Sequence, residues 1–262
     1  MTALWVFAGL LGLAVGSFVN VVAYRLPRGE SVVSPSSRCP SCGVPIRPWH
    51  NVPVLGWLVL RGRCAACDAP IGVRYPLVEA GTGVLFVALA LRLDALGRLP
   101  AVPAFLAFAG LGVALALIDV QTRRLPNALV LPAYPVLAVL LAGAAWWQGD
   151  WWSLARAGIG GAALYGFFFV LVLIYPAGMG FGDVKLAGLV GGVLAYLSWS
   201  TLVIGAFAGF LLGALLGVGL MAAGRGGRKT AVPFGPFMVA GALLAVFVAQ
   251  PLADWYLGLL AF

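Results

Sequence analysis

Across 262 residues, 63% are hydrophobic and only 9% charged, and the mean hydropathy is +1.05. That excess of apolar residues is more than a soluble core of this length needs and excludes an ordinary water-soluble fold. The net charge of +8 is accounted for by membrane topology and anionic lipid headgroups, with no need for a nucleic-acid partner.

Taken in chain order, polar interruptions divide the sequence into apolar spans long enough, as helices, to cross about 30 Å of hydrocarbon. The first runs near 3–24; Arg25 and Arg28 follow it and no cation precedes it, the reverse of a secretory signal, so it reads as a retained helix. A polar interval, 25–76, comes next. Seven further spans fall near 77–93, 101–119, 128–147, 154–175, 184–199, 201–223 and 237–260, of which the sixth in the chain is short and ends at a tight turn around Ser198 to Ser200. The expected fold is an all-α polytopic membrane protein of about eight transmembrane helices. Its expected organisation is a first helix (1–24), a small cytoplasmic loop domain (25–76) and a membrane core (77–262).

Lys and Arg collect in short cytoplasmic loops. With the N-terminus outside, the inner loops hold Arg25, Arg28, Arg38, Arg47, Arg61, Arg63, Arg74, Arg123, Arg124, Lys185, Arg225, Arg228 and Lys229, which is 13 of 16 cations. Arg92, Arg98 and Arg156 are left outside.

The polar interval holds every cysteine. Cys39-Pro-Ser-Cys42 and Cys64-Ala-Ala-Cys67 are two C-x-x-C knuckles separated by 21 residues, one beyond the usual zinc-ribbon range. Four thiolates close a tetrahedral shell around zinc and leave no open position, so the site folds a loop and does not activate water. Disulfides or free thiols are the alternative, and a reducing cytoplasmic loop favours zinc. His50, the only histidine, has no role in a four-cysteine shell and stands without a nearby nucleophile signature.

Only eight acids exist. Glu30 and Asp68 lie in the polar loop, and Asp94, Asp150 and Asp254 fall near outer helix ends. Glu79 sits at the inner start of the second span, where pairing with Arg74 is the ordinary reading. Asp119 ends "GVALALID" and Asp183 ends "GMGFGD", 64 residues apart and both at the cytoplasmic membrane edge. Carboxylates near hydrocarbon cost several kcal/mol unless paired or neutralised, which makes them functional candidates. Their structural alternatives are an ion pair from Asp119 to Arg123 and an N-cap at Asp183. Together they permit chemistry. Two carboxylates sharing a proton serve as base toward water and acid toward a carbonyl. Gly180 and Gly182 would free the backbone for unusual conformations and let a substrate strand approach. Paired acids binding a cation in a transporter or assembly protein are the rival reading, but a transporter places them near the bilayer midplane.

Seven segments, "GSFVNVVAYRLP" (16–27), the double C-x-x-C loop, "NVPVLGWLVLRGRC" (51–64), "RYPLVE" (74–79), "LIDVQTRRLPN" (117–127), "GMGFGDVKL" (178–186) and "VPFGPFMVAGALL" (232–244), occur in the order seen in type IV prepilin peptidases, which the chain resembles over nearly its whole length. The resemblance implies an inner-membrane, bifunctional enzyme of pilus and type II secretion systems. It would remove a short basic leader from prepilin and pseudopilin precursors at the cytoplasmic face, with Asp119 and Asp183 matching the two catalytic aspartates. It also implies N-methylation of the new terminus with S-adenosylmethionine. No dinucleotide-type G-x-G-x-x-G or soluble methyltransferase domain is present, so that activity is carried by resemblance alone to 25–76, with Glu79 as its only candidate residue.

Other features have structural readings. Gly205, Gly209, Gly213 and Gly217 recur every four residues, as a close helix-packing stripe does in lipid. Trp146, Trp147, Trp151 and Trp152 suit an outer interfacial belt. Arg123 and Arg124 read as inside-positive anchors, and Lys185 points to a different helix face from Asp183.

Overall fold

A computed structural model of the chain describes residues 2–176, 179–225 and 232–260; Gly178 of the glycine-rich motif and the cations Arg228 and Lys229 lie outside these described residues. Nine α-helices occur among the described residues: α1 (Thr2–Arg25), α2 (Leu55–Val59), α3 (Arg74–Ala95), α4 (Val102–Thr122), α5 (Asn127–Gln148), α6 (Trp151–Ile174), α7 (Phe181–Leu197), α8 (Trp199–Ala222) and α9 (Gly235–Leu260). Among those residues there is no β-strand, only two isolated bridges. All but α2 and α7 are long and apolar enough to cross a membrane, seven helices in all. The chain is a multi-pass membrane protein. The long helices match the eight expected spans to within a few residues, and Ser198 supplies the tight turn as N-cap of α8, accepting the Thr201 amide at 3.0 Å.

The chain divides into two compact units, Met1–Leu91 and Arg92–Phe262. In the first, α1 and α3 approach closely because α1 presents glycine. A Cβ on Gly12 would lie 2.7 Å from the Thr82 carbonyl oxygen, and one on Gly16 would lie 2.8 Å from Glu79 Cα. Such contact through small residues is how helices gain van der Waals energy in lipid, where apolar burial drives nothing.

Between these helices the cysteine loop folds as two copies of one knuckle. The Cys39 amide donates to the Val44 carbonyl and Gly43 donates back to Cys39; likewise Cys64 donates to Ala69 and Asp68 donates back to Cys64, all at 2.9 to 3.0 Å. Each copy is closed by one bridge, Arg38 with Pro45 and Arg63 with Pro70. The residue after the second cysteine takes a left-handed conformation in both, Gly43 at φ +71° and Asp68 at φ +54°. Asp68, which the sequence left as an ordinary loop acid, therefore occupies a turn position that tolerates aspartate.

In the second unit, α7 packs against α5, α6, α8 and α9, and 11 of its 17 residues are buried. Being surrounded by protein is what lets a helix this short sit in a membrane domain without matching the lipid thickness. Along α8, Gly205, Gly209 and Gly213 each face α9 or the Phe234 ring just before it, as the stripe predicts, whereas Gly217 has nothing within 4 Å among the described residues. The four tryptophans at the adjoining ends of α5 and α6 are exposed.

The three cations assigned outside are not free loop charges. Arg92 donates to the Val246 carbonyl at 3.0 Å, and Arg156 caps the end of α7 through the carbonyls of Ala195, Tyr196 and Leu197. Arg98 meets Asp150 at 2.6 Å, while Asp150 caps α6 by accepting from the Ser153 amide and hydroxyl. The Ser153 hydroxyl first, and then Arg98, hold the Asp150 carboxyl down to about 2, against about 4 in an unfolded chain. A lowered carboxyl stabilises the fold above its unfolded value and loses that contribution as pH falls through its folded value. The melting-temperature advantage of the wild type over Asp150→Asn in detergent is therefore expected to be full above about pH 5, and to shrink below about pH 4. An advantage that does not change with pH would contradict this.

Candidate active site and metal centre

Asp119 lies in the last turn of α4 and is buried, with 5% of its surface exposed. The ion pair with Arg123 does not form. Arg123 instead ends the helix in the left-handed region, φ 53°, and its amide returns to the Asp119 carbonyl at 2.8 Å. The carboxylate turns to a different element: Asp119 Oδ2 accepts the backbone N–H of Gly235, the first residue of α9, at 3.1 Å. A helix N-terminus carries unsatisfied N–H groups and positive potential, so it suits a carboxylate better than the end of α4 does.

Asp183 is not the N-cap of α7. The helix starts earlier, at Phe181, with Gly180 as N-cap, so Asp183 becomes the third helical residue. Its Oδ2 accepts the Gly180 N–H and its own amide donates to the Gly180 carbonyl, both at 3.0 Å. This reciprocal tie resembles the second half of a capping box. Each aspartate thus has one oxygen fixed by a backbone amide; among the described residues the other oxygen has no hydrogen-bond partner. The helices that carry the two aspartates, α4 and α7, pack against each other.

The turn between α4 and α5 joins the two. A Cβ on Gly182 would lie 3.0 Å from Leu125 Cβ, and one on Gly235 would lie 3.3 Å from Leu125 Cδ2 and 2.8 Å from Asp119 Oδ2. A methyl at either position would crowd these side chains. Gly180 itself is extended, at φ −83° and ψ 152°, a conformation open to any residue, so the expected conformational need is not met at that position. Phe234, next to Gly235, packs in tilted contact with Phe168 and Phe210 at centroid distances of 6.0 and 5.1 Å, which helps fix the start of α9. Gly235 has no role in the reading from sequence; its flanking Pro233 and Pro236, which frame a helix start, are the signal for it. Gly235→Ala would push the new methyl into the Asp119 carboxylate. It is expected to lower proteolytic turnover by about tenfold or more with the protein still inserted. Wild-type turnover in that variant would remove Gly235 from the site.

In the first unit the four cysteines are free, and their Sγ atoms lie within 4.8 Å of one another. Cys39 and Cys67 Sγ are 3.8 Å apart. A disulfide needs about 2.05 Å, whereas the edge of a tetrahedron with metal–sulfur bonds of about 2.3 Å is about 3.8 Å. The cluster therefore fits a tetrahedral metal. Backbone amides of Cys42 and Ser41 lower the Cys39 thiol to about 6, favouring the thiolate a metal requires. At Cys67 the Ala69 amide pulls downward, but Cys42, burial, Cys64 and Cys39 outweigh it and push the thiol up to about 12.

Glu79 does not pair with Arg74. Its Oε2 accepts the Val54 N–H at 2.7 Å, and Val54 has φ 62° and ψ −50°, with the Leu55 amide bonding back to Pro53 at 2.6 Å. A β-branched residue in such a γ-turn is strained, and the Glu79 carboxylate holds it there. Lys185 reaches Asn127, not Asp183, in line with its expected face.

Residues 10–93 match the Bacterial Peptidase A24 N-terminal domain, and residues 106–220 match the Type IV leader peptidase family. Among curated proteins, a Prepilin leader peptidase/N-methyltransferase of Pseudomonas putida is 36% identical, covering 91% of this chain and 88% of its own length. Proteins of the same name from Burkholderia pseudomallei (strain K96243) and Aeromonas hydrophila are each 36% identical, covering 94% and 95% of this chain and 85% and 92% of their own. No solved structure matches the chain. Similarity at this level over nearly the full length, joined to a carboxylate pair and a four-cysteine cluster, makes the chain a member of the prepilin leader peptidase/N-methyltransferase family.

Proposed function

We propose that the chain is a membrane aspartic endopeptidase that removes the leader from prepilin and pseudopilin precursors, with Asp119 and Asp183 as its catalytic residues, and that it methylates the new N-terminus. The observation that carries the peptidase reading is the pair itself: two carboxylates from different helices, each held by one backbone amide and each with a second oxygen that has no hydrogen-bond partner among the described residues. With one proton between them, the ionised member takes a proton from water as its oxygen attacks the scissile carbonyl carbon. The protonated member gives its proton to the carbonyl oxygen. Collapse of the tetrahedral intermediate breaks the C–N bond, and the departing amine takes up a proton.

The distribution of cations supports a cytoplasmic position for the pair and the cysteine loop, in an inner membrane with the N-terminus outside. We assign the first helix to 1–24, the loop domain to 25–76 and the peptidase core to 77–262. Cys39, Cys42, Cys64 and Cys67 would hold a structural zinc ion, which closes the two knuckles into one folded loop. S-adenosylmethionine would supply the methyl group, and Glu79 is the candidate residue for that activity. Membranes carrying the protein, incubated with a precursor and labelled S-adenosylmethionine, should yield leader-free product with label on its new N-terminus. Precursor left intact would overturn the peptidase reading, and unlabelled cleaved product would overturn methylation.

A further inference from the structure

The start of α7 is tied to α5 by two hydrogen bonds that converge on one residue. Tyr134 Oη donates to the Lys185 carbonyl at 2.7 Å, and Lys185 Nζ donates to Asn127 Oδ1 at 2.9 Å. Lys185 lies two residues beyond Asp183. Asn127 opens α5 directly after the turn that leaves Asp119. Space for the tyrosine hydroxyl comes from Gly188, where a Cβ would collide with it.

At 100° per residue, Lys185 stands about 160° around α7 from Asp183. A hold on that side sets the rotation and the axial position of the side carrying the carboxylate. An exposed lysine contact alone is worth little. The tyrosine bond adds a second anchor on a rigid ring and reaches the backbone itself, so side-chain motion of Lys185 does not release it.

We propose that Tyr134 and Lys185 are positioning residues for the carboxylate pair, clamping α7 to α5 so that Asp183 stays in register with Asp119. This rests on the peptidase reading above. Misplacement of a reacting group by about 1 Å can cost about 100-fold in rate, whereas substrate binding along the remaining surface is unaffected.

The test is steady-state cleavage of a precursor by purified full-length protein: wild type, Tyr134→Phe, Lys185→Met, Lys185→Arg and Asp183→Asn. Tyr134→Phe and Lys185→Met are expected to lower kcat by about tenfold or more with KM within about twofold, and Lys185→Arg to recover most of the loss by keeping a donor. Melting curves and elution profiles report the folded fraction. Wild-type kcat in Tyr134→Phe and Lys185→Met overturns the clamp, as does a raised KM at unchanged kcat or a loss matched by less folded protein. Failure of Lys185→Arg to recover activity removes Lys185 from it. If the wild type does not cleave, or Asp183→Asn does, the peptidase reading falls and takes the clamp with it.

Discussion

Asp119→Asn and Asp183→Asn are each expected to reduce leader removal by about 1,000-fold or more while the protein remains inserted and folded. The two side chains act as one unit, because an amide at either position can neither share the proton nor exchange roles with its partner. Losses in the double variant should therefore be close to those of either single variant, not their product. The amide is nearly isosteric with the acid and still offers an oxygen to the Gly235 or Gly180 N–H, so these backbone ties survive the change. Cleavage of a precursor in membranes, scored by the mobility of the product, checks this. Substantial cleavage by either variant would rule out the aspartyl mechanism.

The second large effect concerns the cysteine loop. Purified protein should contain about one zinc ion per chain, and Cys39→Ser or a strong chelator should release it. The knuckles are short turns joined by a few backbone bonds and two isolated bridges, so they have little core of their own. Structural zinc contributes about 10–16 kcal/mol of apparent binding energy in small domains, far more than these turns can replace. Residues 37–71 should then become open to proteolysis and methylation should fail. Cleavage should persist, because both aspartates belong to the other compact unit. A metal-free loop that resists protease, or loss of cleavage with the metal, would contradict this.

Much of the fold was legible because hydropathy in a membrane chain is read over about 20 residues at a time, and the polar breaks at Arg25, Pro126 and Gly149 are unambiguous. The cysteine cluster and the two acids were legible for a related reason: thiol pairs in a polar loop and carboxylates beside hydrocarbon both stand out from their surroundings. What stayed hidden depends on long-range approach. Nothing near Asp119 in sequence indicates that its partner is an amide 116 residues away, at Gly235. Glu79 had a plausible ion-pair partner nearby in Arg74, yet a strained backbone turn 25 residues earlier took its carboxylate. The N-cap reading of Asp183 failed because Phe181 and Gly182 are themselves helical, which moved the cap to Gly180.

The 17 residues of α7 have one more consequence. At 1.5 Å per residue the helix is about 25 Å long, some 5 Å less than the hydrocarbon thickness of an average bilayer. Because α7 is enclosed by α5, α6, α8 and α9, neighbouring protein and not lipid makes up that shortfall, and Asp183 stands in its first turn. The carboxylate is therefore set by the helices around it, and cleavage is expected to run at similar rates in bilayers of different lipid chain length.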